Sequence, residues 1–137
     1  MAYLLDTDVS LDYLGGNPTV KTVFEAVFID GVAISVVSYM ELYEGVERSM
    51  PIGDYMASLH QFLLGVPVID FSIGVAQKCA RLRSILRQQG RSVRPRALDL
   101  VIAATALYHD LTLVTRNLAD YQDIPGIRLY DPNVGSL

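Results

Sequence analysis

Five acidic residues stand at strand ends or near helix starts along the chain: Asp6, Asp8, Glu41, Asp99 and Asp120. Asp6 follows an apolar run, and in open α/β sheets ligands bind beyond the carboxyl ends of the strands. Carboxylates gathered on one rim without compensating bases repel by several kcal/mol at ~4 Å and intermediate dielectric. A divalent cation is the usual resolution, and an all-oxygen donor set selects Mg²⁺ or Mn²⁺ over Zn²⁺. Such a metal lowers the pKa of a bound water and stabilises charge on phosphoryl oxygens, which suits phosphate-ester chemistry. Each acid also has a structural reading as a turn residue, helix-start charge or loop residue. Asp99 is the least easily explained that way. It interrupts an otherwise apolar helix, where a lone buried carboxylate costs several kcal/mol unless paired or metal-bound.

The elements that would carry these acids alternate. Ala2 to Leu5 reads as a buried strand and Thr7 to Leu14 as a short helix stopped by Gly15-Gly16. A helix starts at Asn17-Pro18 and ends by Gly31, and Val32 to Ser35 is a second strand. Ser38 is expected to cap a helix running to Glu47, with Glu41 as its capping-box partner. Pro51 breaks the chain before a helix over Asp54 to Leu64, and Pro67 to Asp70 is a third strand. Ser72 caps a long helix to Gln89, followed by a polar loop over Arg91 to Arg96. The run from Ala97 to His109 is a buried helix, and Leu111 to Val114 a fourth strand. A helical turn over Asn117 to Tyr121 and a fifth short strand over Ile127 to Tyr130 complete the pattern. Strands alternating with helices predict one α/β domain over residues 1–137: a mostly parallel sheet of four to five strands flanked by helices.

With 137 residues, 51% hydrophobic and 19% charged, the chain holds ample apolar material for a core and is not globally disordered. No stretch of ~18 residues is free of charge, so no membrane span is expected. The start MAYLLDTDV has neither a basic n-region nor a small-residue cleavage site, so the expected location is the cytoplasm. The single cysteine, Cys79, excludes an internal disulfide and a cysteine-based metal site. His60 and His109 have no spaced partner, and no phosphate-binding glycine motif is present.

The formal net charge of −4 argues against a nucleic-acid partner until its distribution is examined. Between Phe71 and Leu98 lie seven bases and no acid: Lys78, Arg81, Arg83, Arg87, Arg91, Arg94 and Arg96. The remaining chain has 4 bases against 15 acids. Nine of the eleven bases are arginine, whose planar fork suits phosphate. Arg87, Arg91, Arg94 and Arg96 are the candidate phosphate contacts, against the alternative of a merely solvated helix face.

Three segments resemble the PIN-domain ribonucleases, and among them the VapC-type toxins of toxin–antitoxin modules. YLLDTDVSLDYL is similar to the family's first motif, with Asp6 as its acid, and ISVVSYMELYEG to the second, with Glu41. LDLVIAATALYHDLTLVTRNLADYQDIPGIRLYDP resembles the D-x-x-I-A-A-x-A helix, the strand ending in T-R-N, and x-x-D-[FY]. There Asp99 and Asp120 are the third and fourth acids. The resemblance implies that Asp6, Glu41, Asp99 and Asp120 are catalytic and hold Mg²⁺ or Mn²⁺, with Asp6, Asp99 and Asp120 as metal ligands. It implies that Thr115 supports the first acid, and that Asn117 orients the site or contacts substrate. Asp8 stands where Asn or Ser is commoner, adding charge to the metal site or capping the helix. Implied too are RNA as substrate, 5′-phosphate and 3′-hydroxyl products, a homodimer, and a small antitoxin whose arginine-bearing C-terminal segment blocks the site.

Two other readings stand beside this one. The D-x-D-x-S run from Asp6 to Ser10 is superficially similar to haloacid-dehalogenase-type phosphatases, with Asp6 as nucleophile and Asp8 as acid/base. That chemistry wants a lysine, and Lys21 and Lys78 are poorly placed for it. The same missing lysine argues against a receiver-type phosphoacceptor. The third reading is a catalytically inactive PIN-like binding subunit.

Overall fold

The computed structural model describes residues 1–48, 52–133 and 135–136. Its strands are β1 (Tyr3–Leu5), β2 (Val32–Ser35), β3 (Val68–Ile69), β4 (Thr112–Val114), β5 (Leu129–Asp131) and β6 (Gly135–Ser136). Its helices are α1 (Thr7–Leu14), α2 (Pro18–Val27), α3 (Val36–Arg48), α4 (Ile52–Leu64), α5 (Ile73–Gln88) and α6 (Ala97–Tyr108). The sheet order is β3-β2-β1-β4-β5-β6. The first five strands are mutually parallel, and β6 pairs antiparallel with β5.

Strand order reverses at β1, which lies between β2 and β4. Such a switch point opens a crevice at the carboxyl ends of the strands. Register fixes what meets there. Leu5 lies beside Ile34 on one side and Val114 on the other, so Asp6, Ser35 and Thr115 emerge together at the same edge.

Two apolar layers hold the sheet. On one face Leu4, Ala33 and Leu113 pack with Val75, Leu82 and Leu86 of α5 and Leu100, Ala103 and Ala104 of α6. On the other, Leu5, Ile34 and Val114 pack with Val9 of α1, Val20 and Phe24 of α2, Leu42 of α3 and Leu59 of α4. Because successive strand residues point to opposite faces, the short apolar strands feed both layers.

Several local expectations shift. Ser38 is not a cap: α3 starts at Val36, and the Ser38 amide donates to Ser35 Oγ at 3.1 Å. Ser38 itself is buried in the first turn, because the helix begins directly off β2. Ser72 does cap α5, accepting from the Val75 amide at 3.2 Å. The loop before α6 ends in a 3-10 turn over Arg94–Arg96, where Pro95 fits the first turn. The fifth strand falls at Leu129–Asp131, two residues later than the apolar pattern suggests at its start. The chain break expected at Pro51 lies outside the described residues. Among the described residues no helix is long and apolar enough to cross a membrane.

Candidate active site

Asp6 is the centre of the rim and is only 5% exposed. It is the N-cap of α1: Oδ1 accepts the Thr7 amide at 2.8 Å, while Oδ2 accepts the Thr115 hydroxyl at 2.8 Å. Its backbone is fixed as well, with the amide donating to Val114 O at 2.9 Å. Burial pushes the Asp6 carboxyl above its ordinary value, Thr115, Thr7 and Tyr121 oppose that, and repulsion from Glu41 adds to it. Low dielectric disfavours the charge, and the donors offset only part of the cost.

Glu41 reaches the rim from the second turn of α3. Thr7 Oγ1 lies 2.6 Å from Glu41 Oε1 and 2.9 Å from Ser38 Oγ. A hydroxyl has one proton and a carboxylate only accepts, so Thr7 donates to Glu41. α1 and α3 are thereby tied together beside Asp6.

Asp99 comes from the first turn of α6 and is half-buried. Burial raises its carboxyl first, followed by repulsion from Asp6 and from Asp120. The fully buried Tyr121 hydroxyl donates to Asp99 Oδ1 at 3.4 Å and also bonds Asp6. Burial, then the Asp6 and Asp99 charges, push the Tyr121 phenol far up, so it stays a protonated donor. Sequence reasoning assigned no role to Tyr121; the D-[FY] pair it forms with Asp120 was the available signal.

Asp120 is exposed in the 3-10 turn Leu118–Asp120, close enough to Asp99 and Arg96 to act on both electrostatically. It marks the outer lip of the crevice. Asp8 lies on the other side. Its Oδ2 accepts the Arg116 amide at 3.1 Å and Asn117 Nδ2 at 3.0 Å, and its Oδ1 accepts the Val9 amide at 2.6 Å. Burial, with Asp6 second, raises Asp8 to about 6. The Asn117 amide in turn donates to Thr115 Oγ1 at 3.0 Å.

Arg116 was also passed over, although it stands inside the T-R-N run. Its Nε lies 2.8 Å from Asp12 Oδ2 and 3.9 Å from Asp8 Oδ2. The Asp12 contact is ionic without hydrogen-bond alignment.

The four candidate phosphate-contact arginines separate. Arg96 grips Asp123 through both terminal nitrogens at 2.8 Å and donates to the Asp120 carbonyl at 2.8 Å. Arg91 approaches Asp123 at 3.3 Å. Arg96 therefore clamps the segment that carries Asp120 and Tyr121 to the start of α6. Among the described residues Arg87 and Arg94 have no ion-pair partner. Arg87 lines a groove between α5 and α6, and Arg94 is exposed.

The donor set suits a hard divalent cation: every acid at the rim offers oxygen, and Asp6, Asp8 and Asp99 are each raised partly by another carboxylate. Among the described residues, no three of these side chains are gathered tightly enough to enclose an ion. Both Asp6 oxygens face protein donors.

The PIN domain family model matches residues 3–125 of the chain. The chain belongs to the PIN-domain family. Within it, the similarity is to VapC-type proteins. The chain is 30% identical over 131 residues to Ribonuclease VapC2 of Rickettsia felis, covering 94% of this chain and 96% of that one. It is 29% identical over 133 residues to the tRNA(fMet)-specific endonuclease VapC of Shigella flexneri, covering 96% and 98%. Among solved structures, VapBC2 of Rickettsia felis bound to a promoter DNA fragment superposes with a TM-score of 0.85 at 30% identity, covering 94% and 97% of the two chains. DNA-bound VapBC of Salmonella typhimurium gives 0.86 at 28% identity, covering 96% and 98%.

Proposed function

We propose that this protein is a divalent-metal-dependent endoribonuclease, the toxin of a toxin–antitoxin pair, with Asp6, Glu41, Asp99 and Asp120 as its catalytic acids. The carrying observation is the convergence at one sheet edge of acids from the start of α1, from α3, from α6 and from the segment after β4, with Glu41 disfavouring the charge of Asp6 and Asp6 that of Asp99. Relatives named as ribonucleases over nearly the whole chain support the reaction class.

Asp6, Asp99 and Asp120 would hold Mg²⁺ or Mn²⁺. When bound, the ion supplies an activated water and charge stabilisation on the phosphodiester. The chain's own residues do the positioning. Thr115 and the Thr7 amide hold Asp6 in one rotamer, and Thr7 aims Glu41. Tyr121 keeps a neutral donor between Asp6 and Asp99, which lowers their repulsion while the metal is away. Asn117 links Asp8 to Thr115 and orients that side of the rim. Of the four candidate arginines, Arg87 and Arg94 have no ion-pair partner among the described residues and would take RNA phosphate, whereas Arg91 and Arg96 brace the site through Asp123.

The partners follow the same reading. Solved neighbours include VapBC complexes, which supports a small antitoxin, and an arginine from it entering between Asp6 and Asp99 fits the acidic rim. A homodimer is what the family resemblance implies. The phosphatase reading loses its support, because Lys21 lies on α2 and Lys78 on α5, neither on an element that carries a rim acid.

The test is wild type against Asp6→Asn on RNA and on a phosphomonoester, with Mg²⁺ or Mn²⁺. Metal-dependent RNA cleavage lost in the variant supports the proposal. Phosphomonoester turnover, or no RNA cleavage by well-folded wild type, refutes it.

A further inference from the structure

The basic segment does not form one surface. Arg91 and Arg96 are engaged by Asp123, and Arg83 and Arg87 line the groove beside the start of α6. Lys78 and Arg81 lie elsewhere. Three residues apart on α5, they share a helix face and border a pocket of about 200 Å³ with Gly74, Gln77 and Tyr108. Neither has an ion-pair partner among the described residues.

The pocket has a built wall. The Tyr108 ring lies over Gly74, where a Cβ would sit 2.3 Å from the ring carbons. Any other residue at position 74 would push the ring away. Tyr108 is nevertheless 53% exposed, with the His109 ring perpendicular to it at a centroid distance of 5.0 Å, so part of the ring is open to a ligand rather than filling the core. Two cations without an ion-pair partner beside a half-exposed aromatic ring suit a ligand that is planar and anionic at once. A nucleotide has both properties: its base stacks and its phosphate takes the charge.

We propose that Lys78, Arg81 and Tyr108 form a second RNA contact, away from the catalytic rim, in which a single-stranded nucleotide stacks on Tyr108 and places its phosphate on Lys78 and Arg81. This rests on the ribonuclease reading. Asp99 and Tyr108 sit at opposite ends of α6, about 13 Å apart along the helix axis at 1.5 Å per residue. A dinucleotide spanning the scissile bond falls short of the pocket, and a longer RNA reaches it. The pocket therefore selects for substrate size and for an unpaired base at a distance from the cut.

The experiment compares wild type, the Lys78→Ala/Arg81→Ala double variant, Tyr108→Leu and Tyr108→Phe. Affinity for a long structured RNA with an unpaired loop is measured by anisotropy without metal, over a salt series. Dinucleotide cleavage is measured with metal. Removing this phosphate contact should flatten the slope of log affinity against log salt by about 0.7. Tyr108→Leu should weaken long-RNA binding by about 5- to 100-fold, with Tyr108→Phe close to wild type. Dinucleotide cleavage should not change. Unchanged long-RNA affinity in the double variant overturns the proposal, as does an equal loss on the dinucleotide. A polyglutamate peptide that needs Lys78 and Arg81 while RNA does not would make the surface a protein-docking site, which also overturns it. RNA binding that depends on Lys78, Arg81 and Tyr108 in a protein that never cleaves RNA counts for this contact and against the nuclease reading.

Discussion

Thr115 Oγ1 donates to Asp6 Oδ2 at 2.8 Å across 109 residues of sequence. The bond joins the end of β4 to the end of β1 at the point where strand order reverses. A charge-assisted hydrogen bond of this kind contributes about 1.5–3 kcal/mol. Thr115→Val keeps the shape and removes the donor. Cleavage should fall about 10- to 100-fold, with Thr115→Ser recovering most of it. Equal rates in Thr115→Val and wild type would show that Asp6 needs no such support.

Asp99 is raised by burial and by two neighbouring carboxylates, so its charge opposes folding while no cation is bound. Asp99→Asn should therefore raise the melting temperature of the metal-free protein by a few °C while abolishing cleavage. Added Mg²⁺ should stabilise wild type and leave the variant unmoved. Thermal melts with and without Mg²⁺ decide this, and an equal Mg²⁺ shift in both proteins would remove Asp99 from the ligand set.

Tyr121→Phe removes a neutral donor shared by Asp6 and Asp99 with almost no change of shape. The metal-free variant should lose about 1 kcal/mol of stability. Its stabilisation by saturating Mg²⁺ should exceed that of wild type, because more repulsion is left for the cation to relieve. Denaturant unfolding in each state measures both quantities.

Asp8 gives a pH-dependence of unusual sign. Its folded value of about 6 lies above the ordinary carboxylate value of 3.8, so the native state holds the proton more tightly. Stability from this group is highest below pH 4, falls as pH rises to 6, and is level above. Asp8→Asn removes that slope. The variant's stability relative to wild type should climb between pH 4 and 6 and then stay constant. A flat difference across that range would show that Asp8 ionises normally.

Asp123 has the opposite sign. Arg96, through two hydrogen bonds, holds its carboxyl below the ordinary value. Its contribution is present above about pH 4 and is lost as pH falls through the lowered folded value. Asp123→Asn should cost about 1 kcal/mol at neutral pH, with the gap closing in acid. Because Arg96 also holds the Asp120 carbonyl, cleavage should fall along with stability.

Much of this was readable from residue order. Short apolar runs bounded by glycine and alternating with helical patterns specify a parallel α/β sheet, because strands buried on both faces need continuous apolar character and crossovers need helices. Asp99 stood out for a local reason: it interrupts an apolar helix that has no structural need for a charge, whereas Asp6 and Glu41 each had a structural reading, as turn residue and capping-box partner, and were marked by the motifs around them. Tertiary structure decided what the pattern could not carry. Whether Arg96 grips RNA or Asp123 depends on two segments 27 residues apart meeting at the start of α6. Tyr121 reads as one more core aromatic until the fold places its hydroxyl between two carboxylates. The segregation of charge behind the net −4 was visible in residue order, but only three dimensions showed that Arg91 and Arg96 are bound to an acid. Charge and hydrogen bonding act through space, and sequence spacing fixes that distance within one helix or strand but not between elements.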